Sequence, residues 1–297
     1  KQKKNSTIYI SLEPCSHFGK SPPCVNLIIK SQIDKVVYSL NDIDERTADK
    51  SYKILKSNKI KVKKNLYKNL KKYIYKNYFL AKRKKKPYVY GKLAISKDFF
   101  SKSKKKFYIT NEQSLRTVHM IRSKVNCILT TSKTINADNP RLNCRTYGLE
   151  NFSPKIAIID KNLKINTKSF LIKNAKKNKT FLFYNKKNMN KIDFLKSKNV
   201  VVIFTPILDN NLDFNFILKY LFENEILSIL VEGGKTITES LIKKDFLNEF
   251  YLFISNKCLK KNGTLQMKNI KKYLSRKFNN IKFNETFLDK DNLLHYY

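Results

Sequence analysis

The segment 13–24, Glu-Pro-Cys-Ser-His-Phe-Gly-Lys-Ser-Pro-Pro-Cys, constrains the fold of this chain more than any other. An apolar run over 7–12 precedes it and predicts a buried strand. A second apolar run over 25–29 follows the paired prolines and predicts a helix. Cys15 and Cys24 therefore lie on one strand-to-helix connection, where their thiols can converge. Because Zn²⁺ prefers thiolate ligands and a helix start favours the thiolate, these two cysteines are the predicted metal ligands.

A Pro-Cys followed by a second Cys resembles the zinc-dependent nucleobase deaminases, which also carry a His-x-Glu segment. Most of those proteins have two residues between the cysteines, whereas eight separate them here. The longer spacing, with Gly-Lys-x-Pro-Pro before the second Cys, resembles the bifunctional riboflavin biosynthesis deaminase/reductases, the RibD family. The alternative, two buried free cysteines beside a proline-rich turn, explains the thiols but not the whole string.

The resemblance implies that residues 1–81 are the C-terminal part of a cytidine-deaminase-like α/β domain, with a linking helix over 66–80. His17, Lys20 and Asp42 would then contact the pyrimidine and ribose-phosphate of the deaminase substrate. The family usually continues with Pro-Asn-Pro after the aspartate, whereas this chain continues with Ile-Asp-Glu after Asp42. His17 is equally well explained as a capping side chain.

A zinc deaminase needs a third metal ligand and a glutamate that transfers protons. Fourteen residues precede Cys15, none of them is His, and the only Glu among them is Glu13. The sequence therefore predicts an N-terminally truncated deaminase domain, or a decayed one, with an incomplete Zn²⁺ site. It predicts no deaminase activity in this chain, and no catalytic residue can be assigned there.

The charged run over 82–87, which ends in proline, predicts a linker to a second domain, residues 88–297. Apolar runs in that domain alternate with helical patterns and predict a mostly parallel, doubly wound sheet. The predicted strands of this sheet cover 88–96, 126–130, 155–159, 180–184, 200–204 and 227–231. A late antiparallel pair is predicted between 248–255 and 281–288, with 292–297 as a candidate edge strand.

Two segments of the second domain resemble the reductase domain of the RibD family, which is related to dihydrofolate reductase. The segment 92–98 resembles its opening, Lys-Leu-Ala-x-Ser-x-Asp, and 131–145 resembles its Ser-x-Thr-x-x-x-Asp-x-Pro-x-Leu-x-x-Arg string. The segment 99–107 departs from the family and lacks its usual glycines. No general acid can be assigned, and Lys92 and Asp98 are candidates.

Arginine is rare in this chain, and three of its seven arginines fall between 122 and 145. A guanidinium group binds phosphate through two parallel hydrogen bonds, which lysine cannot reproduce. We therefore predict that Arg122 and Arg145 bind the 5′-phosphate of a substrate, against the alternative of two ordinary surface arginines. The resemblance implies that Arg122, Leu142, Arg145 and Glu232 line the reductase substrate.

The run 227–231 leads through Glu232 into the only Gly-Gly pair of the chain, after which a helix is predicted. Glycine lets backbone approach a ligand, and a helix start offers N–H donors to a pyrophosphate. The turn resembles the Val-Glu-Gly-Gly segment of the family, which implies NADPH as cofactor, while Glu232 as a plain helix-cap acid is the alternative. The implied cofactor residues are Ala94, Tyr108, Thr134, Asp138, Gly234, Lys235, Thr236, Ile237, Thr238, Glu239 and Ser240.

The formal net charge of +39 is typical of proteins that bind nucleic acid. However, the charge comes mainly from lysines spread over the whole length, which favours a solvated surface. The five scattered cysteines, with no visible signal peptide and no apolar run of membrane length, predict a cytoplasmic protein without membrane spans. We also expect a homo-oligomer. The resemblance implies an enzyme that reduces 5-amino-6-(5-phosphoribosylamino)uracil, and in the full-length protein also deaminates the precursor. The alternatives are a nucleic-acid-binding or editing deaminase-fold protein, and a reductase with a structural deaminase remnant.

Overall fold

The computed structural model describes residues 5–19, 21–69, 74–105, 107–284 and 289–297. The chain divides into two compact units, with the division between Lys86 and Pro87. In the part of the chain that the structure describes, no helix is long and apolar enough to cross a membrane.

The first unit contains a small parallel sheet with helices. Its elements are β1 (Thr7–Leu12), α1 (Cys24–Lys30), β2 (Lys35–Leu40), α2 (Lys50–Ser57), β3 (Lys61–Lys63) and α3 (Lys76–Lys84). The three strands pair in the order β1-β2-β3, all parallel. Val25 of α1, Leu55 of α2 and Tyr38 of β2 pack into the core of this unit.

The helix near the end of the first unit differs from the prediction. Of the predicted helix over 66–80, residues 66–69 are not helical and 70–73 lie outside the described residues, whereas α3 begins at Lys76 and runs on to Lys84. Part of the predicted linker is therefore the last helical turn, Lys82 to Lys84. The physical reason is that basic side chains at a helix C-terminus interact favourably with its dipole. Lys82 also pairs with Asp44 at 2.9 Å.

The second unit alternates strands and helices over most of its length. Its first elements are β4 (Tyr88–Ile95), β5 (Phe100–Ser103), α4 (Glu112–Ser123), β6 (Cys127–Thr131), α5 (Ser132–Asp138), β7 (Lys155–Ile159), α6 (Phe170–Lys173), β8 (Thr180–Tyr184), α7 (Met189–Ser197) and β9 (Val200–Phe204). The later ones are β10 (Ile207–Leu208), β11 (Asn211–Leu212), α8 (Phe214–Glu223), β12 (Ser228–Glu232), α9 (Lys235–Lys243), β13 (Glu249–Ile254), β14 (Gly263–Gln266), α10 (Ile270–Lys277), β15 (Ile281–Asn284) and β16 (Asn292–Tyr296).

The described residues of this unit form a nine-stranded sheet in the order β15-β16-β13-β4-β12-β6-β7-β8-β9. The strands from β13 to β9 are mutually parallel. Ile156, Phe181, Leu182 and Phe183 are fully buried, as expected for central parallel strands covered on both faces. The predicted α/β fold with a mostly parallel central sheet is confirmed.

The antiparallel edge of the sheet differs from the prediction. β16 pairs with both β13 and β15, so the C-terminal strand lies inside the sheet and β15 forms the edge. Leu293 and Tyr296 of β16 are buried, whereas Ile281 and Phe283 of β15 are each about half exposed. The more buried strand β16 thus lies between two neighbours, and the half-exposed strand β15 forms the edge.

Candidate active site

A large cleft opens at the carboxyl ends of β4, β6 and β12, with a volume of about 1650 Å³. Its lining includes Lys92, Leu93 and Ala94 from β4, Thr131 from β6 and Glu232 from β12. Open α/β sheets bind ligands at the carboxyl ends of their strands. The cleft is therefore the candidate active site of the second unit.

Glu232 forms the centre of a buried ion-pair cluster in this cleft. Arg122 donates from Nε to Glu232 Oε1 at 2.6 Å and from Nη2 to Oε2 at 3.0 Å. Lys92 Nζ lies 3.8 Å from Glu232 Oε2. The side chains of Arg122, Glu232 and Lys92 are 12%, 10% and 17% exposed. Arg122 thus holds Glu232 in a bidentate pair.

Burial and charge shift the pKa of each member of this cluster. Burial alone would raise the pKa of Glu232, but the charges of Arg122 and Lys92 outweigh it and lower the pKa to about 2. Burial lowers the pKa of Lys92; Glu232 opposes this effect, and Arg122 adds to it. Lys92 is therefore easier to deprotonate than a solvated lysine, while Glu232 is firmly ionised.

Arg145 lies beside the cluster, and its guanidinium group contacts His119. Arg145 Nε and Nη2 lie 3.3 and 3.2 Å from His119 Nε2. On the other side of the ring, His119 Nδ1 is 3.0 Å from the backbone oxygen of Asn143, to which Arg122 Nη1 also donates at 3.1 Å. Arg145 is exposed, so it can turn towards a ligand in the cleft.

The Gly-Gly turn follows β12 and enters the same cleft. Gly234 is the residue before the first turn of α9, and both glycines line the cleft. No described atom lies within 4 Å of the position that a Gly234 side chain would take, whereas a side chain on Gly233 would collide with Ile237. The backbone at Gly234 is therefore open to a ligand, at a helix end whose N–H groups attract anions.

Most of the sequence-predicted reductase residues meet in the cleft. The lining includes Arg122, Leu142, Arg145, Glu232, Ala94, Tyr108, Thr134, Asp138, Gly234, Lys235, Thr236, Ile237 and Ser240. Thr238 and Glu239 are not part of the lining: Thr238 is buried, and Glu239 Oε1 lies 3.9 Å from Lys235 Nζ. The roles of all these residues stay predictions.

Two contacts near the predicted cofactor residues organise this side of the cleft. The Thr131 hydroxyl accepts a hydrogen bond from the N–H of Thr134 and caps α5. At the other end of α5, Lys102 Nζ lies 3.1 Å from Asp138 Oδ1.

Leu142 is buried with φ of 49°, a left-handed conformation that non-glycine residues adopt at a cost in free energy.

Three lysines, Lys133, Lys161 and Lys244, and the imidazole of His119 also line the cleft, and the sequence patterns did not predict this. Lys161 lies two residues after the end of β7, at the carboxyl end of a parallel strand. That position could have identified it as a candidate ligand-binding residue. The contacts of His119 depend on the loop that carries Arg145, which no sequence pattern shows.

The two general-acid candidates differ in their surroundings. Lys92 lines the cleft beside Glu232. Asp98 accepts hydrogen bonds from Ser96 Oγ at 2.6 Å and from the N–H groups of Leu259 and Lys260. Burial would raise the pKa of Asp98, but these donors lower it. Asp98 thus organises backbone and lies outside the cleft lining.

In the first unit, the two predicted metal ligands are neighbours. The N–H of Cys24 donates to Cys15 Sγ at 3.3 Å. The prediction of a favoured thiolate at the helix start is wrong for Cys24: burial and the neighbouring thiol of Cys15 raise its pKa. Among the described residues, no group of three or more His, Cys, Asp or Glu side chains could hold a metal ion. Within the described part of the chain, Cys15 and Cys24 therefore do not make a complete zinc site.

The predicted deaminase substrate residues have partners within the first unit. His17 Nδ1 lies 3.1 Å from Thr47 Oγ1, and α1 has no side-chain cap, so His17 does not cap that helix. Asp42 accepts from the Tyr78 hydroxyl at 2.7 Å, and its N–H donates to the buried Glu13. Lys20 lies outside the described residues.

Residues 87–277 match the family described as RibD C-terminal domain. The riboflavin biosynthesis protein RibD of Aquifex aeolicus is 28% identical over 258 residues, which cover 86% of this chain and 70% of that protein. The protein of the same name from Bacillus amyloliquefaciens is 31% identical over 255 residues, which cover 85% of this chain and 68% of that one.

Solved structures show the same fold. Acinetobacter baumannii RibD has a TM-score of 0.81 at 23% identity, covering 98% of this chain and 80% of that chain. A Saccharomyces riboflavin biosynthesis reductase has a TM-score of 0.53 at 21% identity, covering 71% of this chain and 89% of that chain. The α/β architecture is therefore shared with known reductases.

Proposed function

The chain belongs to the RibD family, and we propose that its second unit reduces 5-amino-6-(5-phosphoribosylamino)uracil to the ribitylamino product with NADPH. Membership of the family makes this chain an oxidoreductase of riboflavin biosynthesis. The substrate and the cofactor are proposed from one observation: a single cleft joins an arginine-rich cluster to a glycine turn at a helix start. The cluster fits a sugar phosphate, and the turn fits a dinucleotide.

The residues around the glycine turn fit NADPH. The open backbone at Gly234 and the N–H groups of α9 suit a pyrophosphate. Lys133, Lys161 and Lys235 line the same cleft and suit the additional phosphate of NADPH. When bound, this cofactor would supply the hydride.

The substrate end of the cleft has a cation for the phosphate and a rigid acidic centre. Arg145 is exposed and able to form a bidentate pair with the 5′-phosphate. Arg122 already forms two hydrogen bonds with Glu232, so its role is to fix that carboxylate. An ionised Glu232 can accept hydrogen bonds from hydroxyl or amino groups of the substrate.

Lys92 is our choice for the proton donor. Reduction of the ribose to a ribityl chain adds hydrogen to C1′, breaks the bond between C1′ and the ring oxygen, and leaves a proton to be added to that oxygen. Lys92 lines the cleft, and burial lowers its pKa, so its ammonium gives up a proton more readily than that of a solvated lysine. Asp98 is excluded from this role, because it lies outside the cleft lining.

No deaminase step is assigned to the first unit. Its described residues offer two thiols, Cys15 and Cys24, where a zinc deaminase uses three protein ligands and a glutamate. The cytoplasmic location, the homo-oligomer and the deamination by a full-length protein stay predictions.

The test is oxidation of NADPH by the purified chain with 5-amino-6-(5-phosphoribosylamino)uracil, followed by absorbance, with mass analysis of the product. We expect one ribitylamino product per NADPH consumed, and a much larger KM for NADH because it lacks the extra phosphate. A folded protein that neither binds NADPH nor consumes it would contradict the proposal. Tight RNA binding in its place would support the nucleic-acid alternative.

A further inference from the structure

His119 lies between the two arginines of the substrate end. It is 9% exposed and is placed by α4 one helical turn before Arg122. The Asn143–Arg145 segment crosses its ring: Nδ1 faces the Asn143 oxygen at 3.0 Å, and Nε2 faces Arg145 Nε at 3.3 Å and Nη2 at 3.2 Å. The imidazole therefore joins the helix of one arginine to the loop of the other.

These contacts determine the protonation of the ring. A guanidinium group can donate but never accept hydrogen bonds, so Nε2 of His119 must accept from Arg145. The proton of a neutral ring then lies on Nδ1 and is donated to the Asn143 oxygen. The N–H of Arg145 also approaches Nδ1, at 3.3 Å, but the shorter distance to the Asn143 oxygen fits Nδ1 as a donor.

The charges around His119 favour this neutral form. Burial lowers its pKa, and Arg122 and Arg145 lower it further. The Asn143 oxygen and Glu232, which faces it from the end of β12, act in the opposite direction, and the net pKa lies below the ordinary value of 6.5. At neutral pH the ring can accept from Arg145.

We propose that His119 is a positioning residue that holds the Arg145 guanidinium in place for the substrate phosphate. This role rests on the proposed function, because it assigns the phosphate to Arg145. Arg145 is exposed and long, so without a partner its side chain would lose rotamer freedom on binding the phosphate. The hydrogen bond that Nε2 accepts fixes one edge of the Arg145 guanidinium before the substrate binds. The hydrogen bond from Nδ1 to the Asn143 oxygen fixes the ring itself.

Protonation of His119 would remove this support. The protonated ring donates at both nitrogens, so Nε2 repels the Arg145 guanidinium. The substrate KM should therefore rise as the pH falls through the pKa of His119. Because the substrate phosphate itself takes up a proton near pH about 6, the effect of His119 is the difference between the wild-type profile and that of a variant without the imidazole.

The experiment compares His119→Leu and His119→Gln with the wild type. Loss of one hydrogen bond to a charged group predicts that His119→Leu raises the substrate KM about tenfold. We expect kcat and the KM for NADPH to be nearly unchanged. Glutamine keeps one donor and one acceptor, so His119→Gln should restore most of the substrate affinity. Because glutamine does not titrate, this variant should also lose the part of the rise in KM at low pH that comes from protonation of His119.

A substrate without phosphate separates positioning from a general effect on the fold. With 5-amino-6-(ribosylamino)uracil, His119→Leu and the wild type should have the same KM. An unchanged KM for the phosphorylated substrate, or an equal rise for both substrates, would overturn the role. If His119→Leu does not fold, the pH profile of His119→Gln decides, and a profile identical to the wild type is the refuting result.

Calorimetric binding of ribose 5-phosphate to the same variants tests the role without turnover. If the wild type binds it but does not oxidise NADPH, the reductase proposal fails, while weaker binding by His119→Leu still supports the role of His119. If the wild type neither turns over nor binds ribose 5-phosphate, both are wrong.

Discussion

Arg122 and Arg145 have the same side chain but different surroundings in the cleft. Arg122 is buried and holds Glu232 through two hydrogen bonds, whereas Arg145 is exposed and contacts the neutral His119. A sequence pattern can show that arginines are concentrated in one segment, but it cannot separate these two roles. The separation depends on burial and on the neighbouring carboxylate, which only folding brings together.

Replacement of Arg145 by lysine should weaken substrate binding. Lysine keeps the charge but cannot form the two parallel hydrogen bonds of a guanidinium. We expect Arg145→Lys to raise the substrate KM about tenfold or more, equivalent to at least about 1.4 kcal/mol. Steady-state kinetics measure it, with Arg116→Lys on an exposed part of α4 as the matched control. Equal KM values for both variants would remove Arg145 from the phosphate site.

Neutralisation of Glu232 should destabilise the second unit. Glu232→Gln leaves Arg122 and Lys92 as buried cations without their carboxylate. Breaking a buried pair in this way costs about 3–5 kcal/mol. The control Glu223→Gln breaks an exposed pair with Lys219 and should cost less than about 1 kcal/mol. Urea unfolding of both variants gives the comparison, and equal free energies of unfolding would contradict the argument.

The same carboxylate should contribute to the acid sensitivity of the fold. The pKa of Glu232 is lowered to about 2 in the folded chain, whereas an unfolded glutamate has a pKa of about 4.3. Its stabilisation is therefore fully present above pH about 4.3 and is lost as the pH falls towards 2. The difference in unfolding free energy between the wild type and Glu232→Gln should shrink over that interval.

At the scale of elements, the central strands were predictable and the edge of the sheet was not. β7, β8 and β9 have the predicted bounds, because a parallel strand buried on both faces is a continuous apolar run. The C-terminal strand β16 was expected at the edge but lies between β13 and β15. The order of antiparallel strands at the edge of a sheet depends on which strands are covered by the rest of the fold, and the local sequence does not show this.

The start of α9 is the element on which cofactor binding should depend. At φ of −77° alanine is allowed at Gly234, and no described atom would contact its methyl group. Gly234→Ala should therefore fold with little change in Tm. The methyl group would instead occupy the approach to the backbone, and we expect the KM for NADPH to rise about tenfold or more.

A matched variant at the other end of the same helix controls for this change. Lys243 is exposed and is not part of the cleft lining. Lys243→Ala should leave the KM for NADPH unchanged. If Gly234→Ala binds NADPH as the wild type does, the glycine turn is not the pyrophosphate site.

At the scale of the whole molecule, net charge says less about function than the positions of a few charged side chains. The value of +39 would fit a nucleic-acid-binding protein. Two of the cations, however, are engaged inside their own units: Lys82 pairs with Asp44 in the first unit, and Arg122 pairs with Glu232 in the second. The sequence motifs predicted the cysteine pair and most residues of the cleft. The raised pKa of Cys24 could not be predicted, because it depends on burial and on the neighbouring Cys15, which only the folded chain shows.

The two units should respond differently to metal. In the proposed reaction, cations and backbone groups of the second unit would hold the cofactor, so we expect a chelator to leave NADPH oxidation unchanged. The first unit offers Cys15 and Cys24, and two thiolates bind zinc more weakly than the four donors of a complete site. We therefore expect clearly less than one zinc per purified chain and no deaminase activity, by elemental analysis and an ammonia-release assay. Because Cys15→Ser removes one of these thiols, it should lower any residual zinc without changing the reductase rate. One tightly held zinc per chain, or a reductase rate that falls with chelation, would show that the metal contributes more than the described donors can explain.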